Sequence, residues 1–343
     1  TPVSITTGIG RGAQEGVLVK HAAALERLAA VTAVLVDKTG TLTEGRPSVT
    51  ALISAPSVSE HELLKIAASI ETGSEHPIAR AIIRAAAERG IQVEKAEEFR
   101  NHAGFGVTAT IGGIRSRAGR LDWLHSEGVD TSALKLPEDP ATVMAVASDS
   151  RILGAVLLAD RIKESAGAAL KELSRLGIEV VMVTGDRAAS ARKVAGELGI
   201  ATVHADIKPQ DKQRIVREYR DRDAVVAYAG DGINDAPALA AADVGIAMGH
   251  GTDVAIESAG LVLLHGDLGG LVRAIHLSRA VLRNIRQNLF WAFFYNLAGV
   301  PLAAGLLFPF TGWLLNPMAA AVAMSMSSLS VVGNALRLRT VRL

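Results

Sequence analysis

The sequence predicts an α/β fold: a parallel sheet, a second α+β domain inserted into it, and two membrane helices after it. Apolar, β-branched runs alternate with Ala-rich helical segments, as in parallel sheets that are covered on both faces. The segment 45–160 interrupts this alternation, which indicates an inserted domain. The run 288–336 contains no Asp, Glu, Lys or Arg and is long enough for two bilayer spans of about 20 residues each.

The composition excludes several classes of protein. The chain has 343 residues, of which 49% are hydrophobic, so it can bury sizeable cores. Its 36 Lys and Arg against 35 Asp and Glu leave a formal net charge of +1, which argues against a nucleic-acid partner. The sequence contains no Cys, which excludes a disulfide scaffold, a zinc–thiolate site and a cysteine nucleophile. Because it begins at Thr1 rather than Met, we expect a segment of a longer protein.

Four apolar runs are the predicted strands of the parallel sheet, and they cover residues 33–37, 180–186, 225–232 and 243–249. Helical spacing predicts helices between them, over residues 163–176, 188–198 and 210–220. Ligands of such sheets bind at the carboxyl ends of the strands. Asp37, Asp231 and the segment 184–186 lie at such ends, so we expect a site there.

The inserted domain begins with two predicted helices, at 60–69 and 77–89, and continues with glycine-punctuated strands near 103–119. The predicted division of the chain has four parts. They are the end of a membrane helix with a stalk at 1–30, the sheet domain at 31–44 and 160–266, the inserted domain at 45–159, and a stalk with a two-helix membrane hairpin at 267–343.

Arginines flank the charge-free run on both sides and predict how its two helices are oriented. Because excess Arg and Lys stays cytoplasmic, both ends of the run and the large upstream domains should be cytoplasmic, with the turn at 311–316 outside. A buried helical hairpin in a soluble core is the alternative interpretation. The flanking residues are Arg283, Arg286, Arg337, Arg339 and Arg342.

Two motifs point to covalent catalysis. In DKTGTLT at 37–43, Asp37 follows four apolar residues, and a carboxylate in that place can attack phosphorus and form an acyl phosphate. In GDGINDAP at 230–237, Asp231 follows another strand and can join Asp37 on a Mg²⁺ ion, because magnesium prefers carboxylate and phosphate oxygens. For either Asp alone, a helix N-cap or a turn is the simpler interpretation.

Two further elements could hold the transferred group. In TGD, the Thr184 hydroxyl and the backbone amides of Gly185 and Asp186 can bind phosphoryl oxygens. Lys212 can balance their negative charge. The sequence contains no G-x-x-x-x-G-K-[ST], so a P-loop ATPase is not indicated. In chain order the four elements are DKTGTLT, TGD, Lys212 and GDGINDAP. Their occurrence together favours phosphoryl transfer over four unrelated structural roles.

Together, DKTGTLT, TGD and GDGINDAP resemble the P-type ATPases, and SEHP at 74–77 resembles the heavy-metal-transporting branch of that family. The resemblance covers the whole chain and implies a haloacid-dehalogenase-like sheet domain. It implies that ATP phosphorylates Asp37, and that Asp37, the backbone carbonyl of Thr39, and Asp231 surround Mg²⁺. It further implies that the phosphoryl group is held by Thr184, Lys212 and Asn234, with Asp235 among the catalytic residues.

The same resemblance implies that the inserted domain binds the nucleotide. The positions that match the family's ATP-binding residues are Glu71, His76, Gly104 and Gly106. A third glycine expected soon after Gly106 is replaced near Ala109, which departs from the family pattern. Without this resemblance, the simpler interpretation is that His76 is a surface or core histidine with no role in binding and that the glycines mark turns.

The two charge-free helices resemble those of the monovalent copper subgroup, which implies Cu⁺ as the transported ion; a P-type ATPase for Ag⁺ or another heavy metal is the alternative. Polar side chains in a bilayer are costly and commonly line a pathway, and a thioether suits a soft metal. Plain helix packing is the alternative, and for Ser330 and Asn334 it is an equally good interpretation. The implied metal ligands are Tyr295, Asn296, Met324 and Ser327.

The resemblance also implies partners for this segment: the actuator domain and earlier helices of a longer ATPase in the plasma membrane, the membrane lipid, and a copper chaperone. A soluble haloacid-dehalogenase-type phosphatase is the alternative enzyme. Such enzymes usually carry a second Asp two residues after the nucleophile, where this chain has Thr39. A metal-binding membrane anchor is the alternative without catalysis.

Overall fold

Two units make up the chain in its computed structural model. The first consists of Thr1–Leu42 and Lys163–Leu343, and the second is Thr43–Ile162. The structure describes residues 2–136, 142–304, 317–341 and 343.

The strands and helices of the described residues are named here in chain order. The strands are β1 (Val17–Val19), β2 (Ala33–Val36), β3 (Thr43–Ser54), β4 (Glu97–His102), β5 (Gly106–Ile111), β6 (Ile114–Gly119), β7 (Thr142–Ser148), β8 (Arg151–Ile162), β9 (Glu179–Val183), β10 (Thr202–His204), β11 (Val226–Gly230), β12 (Val244–Met248) and β13 (Leu261–Leu263). The helices are α1 (Pro2–Gln14), α2 (Ala22–Leu28), α3 (Glu60–Glu71), α4 (Pro77–Glu88), α5 (Leu121–Ser126), α6 (Glu164–Arg175), α7 (Ala188–Leu198), α8 (Pro209–Arg220), α9 (Ala236–Ala241), α10 (Asp253–Ser258), α11 (Leu268–Ala303) and α12 (Pro317–Leu336).

The first unit is built on a seven-stranded sheet in the order β1-β13-β12-β11-β2-β9-β10. Its strand pairs are parallel except β1 with β13. Every residue of β2, β11 and β12 is buried, which is the pattern of a parallel sheet covered on both faces. The predicted parallel sheet is therefore confirmed, and the helices predicted between its strands are α6, α7 and α8.

The second unit is built on a six-stranded antiparallel sheet in the order β3-β8-β7-β6-β5-β4. Helices α3 and α4 pack against this sheet. In α3, buried side chains recur at helical spacing at Leu63, Leu64, Ala67 and Ile70, and the Ser59 side chain caps the helix by accepting from the Glu62 amide at 3.1 Å. This α+β arrangement is the one expected for the inserted segment.

Helices α1, α11 and α12 pack together in the first unit. Helix α11 is 36 residues long, and its residues Leu277, Val281 and Ile285 form a buried apolar cluster with Leu25 and Leu338.

The two membrane spans predicted from the charge-free run are not confirmed. Within the described ranges, no helix combines the length and the apolar character needed to cross a membrane. The predicted turn at 311–316 lies outside the described residues.

Candidate active site

The carboxyl ends of three neighbouring strands carry the candidate nucleophile and two of its predicted partners. Strand β2 lies between β9 and β11, with Val36 opposite Met182 on one side and Ala229 on the other. The Asp37 amide continues this pairing by donating to the Ala229 carbonyl at 2.9 Å. Asp37, Thr184 and Asp231 therefore follow adjacent strands at one edge of the sheet, as predicted.

Lys212 joins two buried carboxylates at this edge. Its Nζ donates to Asp37 Oδ1 and to Asp235 Oδ1, each at 2.7 Å. All three residues are 6% exposed or less. Burial lowers the pKa of the ammonium, but the Asp37 and Asp235 charges outweigh that effect and raise it. Lys212 is therefore a fixed positive charge.

Three carboxylates converge at this edge of the sheet. One oxygen from each of Asp37, Asp231 and Asp235 lies within 4.8 Å of the other two. Burial and Asp235 raise the pKa of Asp37 to about 7, against the opposing effect of Lys212, and burial and Asp235 also raise the pKa of Asp231. Converging, mutually repelling carboxylates with oxygen donors fit a hard divalent cation such as Mg²⁺.

Gly40 makes room for Asp231 within this cluster. Its φ is +73°, and a Cβ at this position would lie 1.6 Å from Asp231 Oδ2. The Lys163 ammonium donates to the Gly40 carbonyl, and at 2.7 Å to the Gly266 carbonyl, which holds the turn at Lys38–Leu42 in place. Only glycine combines this backbone conformation with the close approach of a carboxylate.

The Asp235 carboxylate is bound by three donors. Oδ1 accepts from Lys212 and from the Tyr228 hydroxyl, each at 2.7 Å, and Oδ2 accepts from the Gly232 amide at 3.2 Å. Sequence reasoning missed Tyr228. The available signal was the phenol two residues before Gly230 in a strand, because residues i and i+2 share a face.

The TGD turn is held by its own contacts. The Thr184 amide donates to the His204 carbonyl at 2.9 Å, and Thr184 Oγ1 accepts from the Asp186 amide at 3.2 Å. The Asp186 carboxylate pairs with Lys38, next to the nucleophile. Thr184 is 1% exposed, whereas Gly185 is exposed and a Cβ there would lie 3.2 Å from the Ile207 carbonyl.

Two predicted residues lie at the rim of the site. Thr39 is exposed directly after Asp37 and Lys38, and Asn234 is exposed in the short turn Ile233–Asp235. In the part of the chain that the structure describes, neither side chain hydrogen-bonds to Asp37.

In the second unit, Glu71 is the last residue of α3 and His76 directly precedes α4. Glu71 is 5% exposed, and burial raises the pKa of its carboxyl group to about 6 against the effect of a hydrogen bond with Ser74. His76 is exposed and caps α4, with Nδ1 accepting from the Ile78 amide at 3.2 Å.

The predicted glycine pair lies at the turn into β5. Gly104 has φ +79°, which favours glycine. A Cβ on Gly106 would lie 2.3 Å from the Ala118 carbonyl, so Gly106 is also required for packing against β6. Ala109, in place of the expected third glycine, is buried within β5 and pairs with Ser116.

The predicted metal ligands lie on α11 and α12. Tyr295 is 44% exposed, Met324 is 70% exposed and Ser327 is half-buried; the side chain of Asn296 is outside the described set. Among the described side chains, no hydrogen bond joins Tyr295, Met324 and Ser327 to one another. By contrast, Asn334 Nδ2 donates to Asn288 Oδ1 at 2.9 Å, which supports helix packing as the role of Asn334.

Comparison with known proteins shows the family of the chain. The haloacid dehalogenase-like hydrolase family matches residues 31–243. The whole chain aligns at 51% identity with the copper-exporting P-type ATPase of Legionella pneumophila subsp. pneumophila and covers 47% of it. It also aligns over its whole length at 49% identity with the silver exporting P-type ATPase of Salmonella typhimurium and covers 42% of it. The chain therefore spans less than half the length of these relatives.

A solved structure has a similar fold. The zinc-transporting PIB-type ATPase in its E2.Pi state superposes with a TM-score of 0.84 at 39% identity, over 98% of this chain and 55% of that one. The sheet of the first unit with its inserted α+β unit is thus a haloacid-dehalogenase-like fold, as the motifs predicted.

Proposed function

Because the chain belongs to the haloacid dehalogenase-like hydrolases and, among them, to the heavy-metal P-type ATPases, we propose that Asp37 accepts the terminal phosphoryl group of ATP. One observation carries the proposal: a buried carboxylate at a strand end, held by Lys212 and crowded by two further carboxylates. The first unit is then the phosphorylation domain, and the second unit binds the nucleotide.

In this reaction Lys212 holds Asp37 Oδ1, and Oδ2 attacks the γ-phosphorus. A bond forms between Oδ2 and phosphorus, the bond from phosphorus to the β,γ-bridging oxygen breaks, and ADP leaves with that electron pair. Lys212 offsets part of the charge on the transferred group, and the Thr184 hydroxyl, the TGD amides and Asn234 hold its oxygens.

Asp37, Asp231 and the carbonyl of Thr39 are the groups that would hold Mg²⁺, which would neutralise charge on the phosphates. Asp235 is already bound by three donors and keeps Lys212 in place instead.

For the nucleotide, we assign Glu71, His76, Gly104 and Gly106. The buried, hard-to-ionise Glu71 supports this assignment, because perturbed carboxyl groups cluster at functional sites. The nucleotide is ATP.

For the whole protein, we propose export of a soft monovalent ion, Cu⁺ or Ag⁺, with Tyr295, Asn296, Met324 and Ser327 among the ligands. The names of the curated relatives and the exposed thioether of Met324 support this choice. Exposed apolar side chains along α11 and α12, such as Phe293, Leu297 and Met318, support contact with membrane lipid. The large domains would be cytoplasmic, and an actuator domain, earlier helices and a copper chaperone would complete the system.

The experiment that tests phosphorylation uses radiolabelled ATP with Mg²⁺ on the longer protein. We expect an acid-stable, hydroxylamine-labile adduct that is absent in Asp37→Asn and present in Asp221→Asn, a control at an exposed aspartate. Labelled Asp37→Asn would refute the assignment. In the same preparation, ATP turnover should rise with Cu⁺ or Ag⁺; stimulation by Zn²⁺ or Cd²⁺ alone would refute the choice of metal.

A further inference from the structure

We propose that Tyr228 is a positioning residue for phosphoryl transfer: its hydroxyl anchors Asp235, and Asp235 in turn keeps Lys212 on the nucleophile Asp37. This inference deepens the function proposed above and rests on it. It concerns a residue that no motif of the sequence singled out.

A continuous chain of hydrogen bonds carries the inference. Tyr228 Oη donates to Asp235 Oδ1 at 2.7 Å, Lys212 Nζ donates to that same oxygen at 2.7 Å, and Lys212 Nζ also donates to Asp37 Oδ1 at 2.7 Å. Tyr228 is fully buried, Asp235 is 2% exposed and Lys212 is 5% exposed. A hydrogen bond to a charged group out of contact with water is among the stronger ones in proteins.

The strand itself directs the phenol to Asp235. In β11, Tyr228 and Gly230 are two residues apart and so share a face of the sheet. A Cβ on Gly230 would lie 2.7 Å from Asp235 Cγ, so the carboxylate occupies the space that a side chain at 230 would fill. Tyrosine followed two residues later by glycine therefore creates both the donor and the space for its acceptor.

The hydroxyl fixes the position from which Asp235 shares Lys212 with Asp37. With Tyr228 in place, the negative charge of Asp235 is shared among the phenol, the ammonium and the Gly232 amide. Without the phenol, Lys212 is the donor that Oδ1 retains among the described residues, and the carboxylate can shift and draw the ammonium away from Asp37. The nucleophile and the transferred group then lose the nearby ammonium that compensates their negative charge.

Replacing Tyr228 with Phe separates this role from simple packing. The ring of Tyr228 lies in the buried cluster of the first unit, and Phe fills the same volume without the hydroxyl. Tyr219 belongs to the same cluster and is 7% exposed, so Tyr219→Phe is a matched control that removes a phenol away from Asp235.

The test is the rate of acyl-phosphate formation on the full chain with radiolabelled ATP and Mg²⁺. We expect Tyr228→Phe to lower the rate constant at saturating ATP about tenfold, the size expected for one hydrogen bond to a charged group. The ATP concentration for half-maximal rate should stay unchanged, because the nucleotide is bound by other residues. Tyr219→Phe should match the parent chain in both quantities. Equal rate constants for the two variants would overturn the inference.

A measurement without ATP distinguishes failure of the inference from failure of the proposed function. A parent chain that takes no label from ATP refutes the proposed function. Whether or not the parent chain is labelled, proton NMR without ATP should show a slowly exchanging hydroxyl signal that is lost in Tyr228→Phe and shifted in Asp235→Asn. Absence of such a signal, or indifference to Asp235→Asn, would overturn the role of Tyr228.

Discussion

The Asp37 side chain must be buried and yet react as an anion. Burial and Asp235 raise the pKa of its carboxyl group to about 7, and Lys212 opposes them. Lys212 therefore both positions the nucleophile and favours its charged form. The neighbouring Asp231 gains its place only because residue 40 has no side chain.

Gly40→Ala should abolish Mg²⁺-dependent labelling of Asp37. The new methyl group would fall on Asp231 Oδ2, and alanine is strained at φ +73°. Labelling with ATP across a range of Mg²⁺ concentrations measures the effect. Gly167→Ala is the matched control, because a Cβ at that helical position has nothing within 4 Å. Labelling of Gly40→Ala at the parent level would contradict the role of this turn.

Glu71 is a buried carboxyl group whose ionisation lowers the stability of the folded chain. Its carboxyl pKa is about 6 in the folded chain, against 4.5 for an unperturbed glutamate. A raised pKa means that the folded state holds the proton more strongly, so this contribution to stability is complete below pH 4.5 and is lost as the pH rises through 6.

Glu71→Gln should therefore raise the free energy of unfolding above pH 7 by about 2 kcal/mol and leave it unchanged near pH 4. Denaturant unfolding at the two pH values measures this. Glu88→Gln, at an exposed glutamate, should change little at either pH. A gain at pH 4 equal to that at pH 7 would show that ionisation is not the cause. We also expect Glu71→Gln to weaken ATP binding.

At the scale of elements, a polar network joins three helices. Asn288 Nδ2 on α11 donates to Ser4 Oγ on α1 at 3.1 Å, and Asn334 Nδ2 on α12 donates to Asn288 Oδ1 at 2.9 Å. Asn284 on α11 accepts from Ser4 Oγ at 2.8 Å and donates to the Asn334 carbonyl at 2.8 Å. Side-chain amides with several partners fix how helices pack against one another.

Asn288→Ala should lower the free energy of unfolding by about 1–3 kcal/mol, because it removes the hydrogen bonds that join the Asn288 side chain to Ser4 on α1 and Asn334 on α12. Thermal unfolding of the variant beside Arg286→Ala, at an exposed residue of the same helix, measures the difference. Equal midpoints for the two variants would mean that the network contributes nothing to helix packing.

At the scale of the whole molecule, each unit has a core of its own. Leu64 of α3 is fully buried in the second unit, and Leu35 of β2 is fully buried in the first. An α/β sheet with an antiparallel insert can therefore unfold in two cooperative steps.

Calorimetry should show two transitions, with Leu64→Ala lowering one and Leu35→Ala lowering the other. Each substitution removes a buried side chain and should cost about 2–5 kcal/mol in its own unit. A single transition that shifts equally in both variants would contradict independent cores.

Local patterns in the sequence were sufficient for the parallel sheet, its helices and the polar residues at its strand ends, because strand and helix periods and chain punctuation are short-range properties. They were insufficient for β1, β10 and β13, since each has three residues, too few for a period to be recognised.

Which side chains face one another depended on packing between distant segments. Lys212 donates to Asp37, which lies 175 residues earlier in the chain. Gly40, after β2, leaves space for the Asp231 carboxylate, after β11. Neither contact follows from a local pattern, because hydrogen bonds and close approaches between distant residues exist only once the sheet has assembled. The sequence thus determined the chemical groups of the site, and tertiary packing decided their partners.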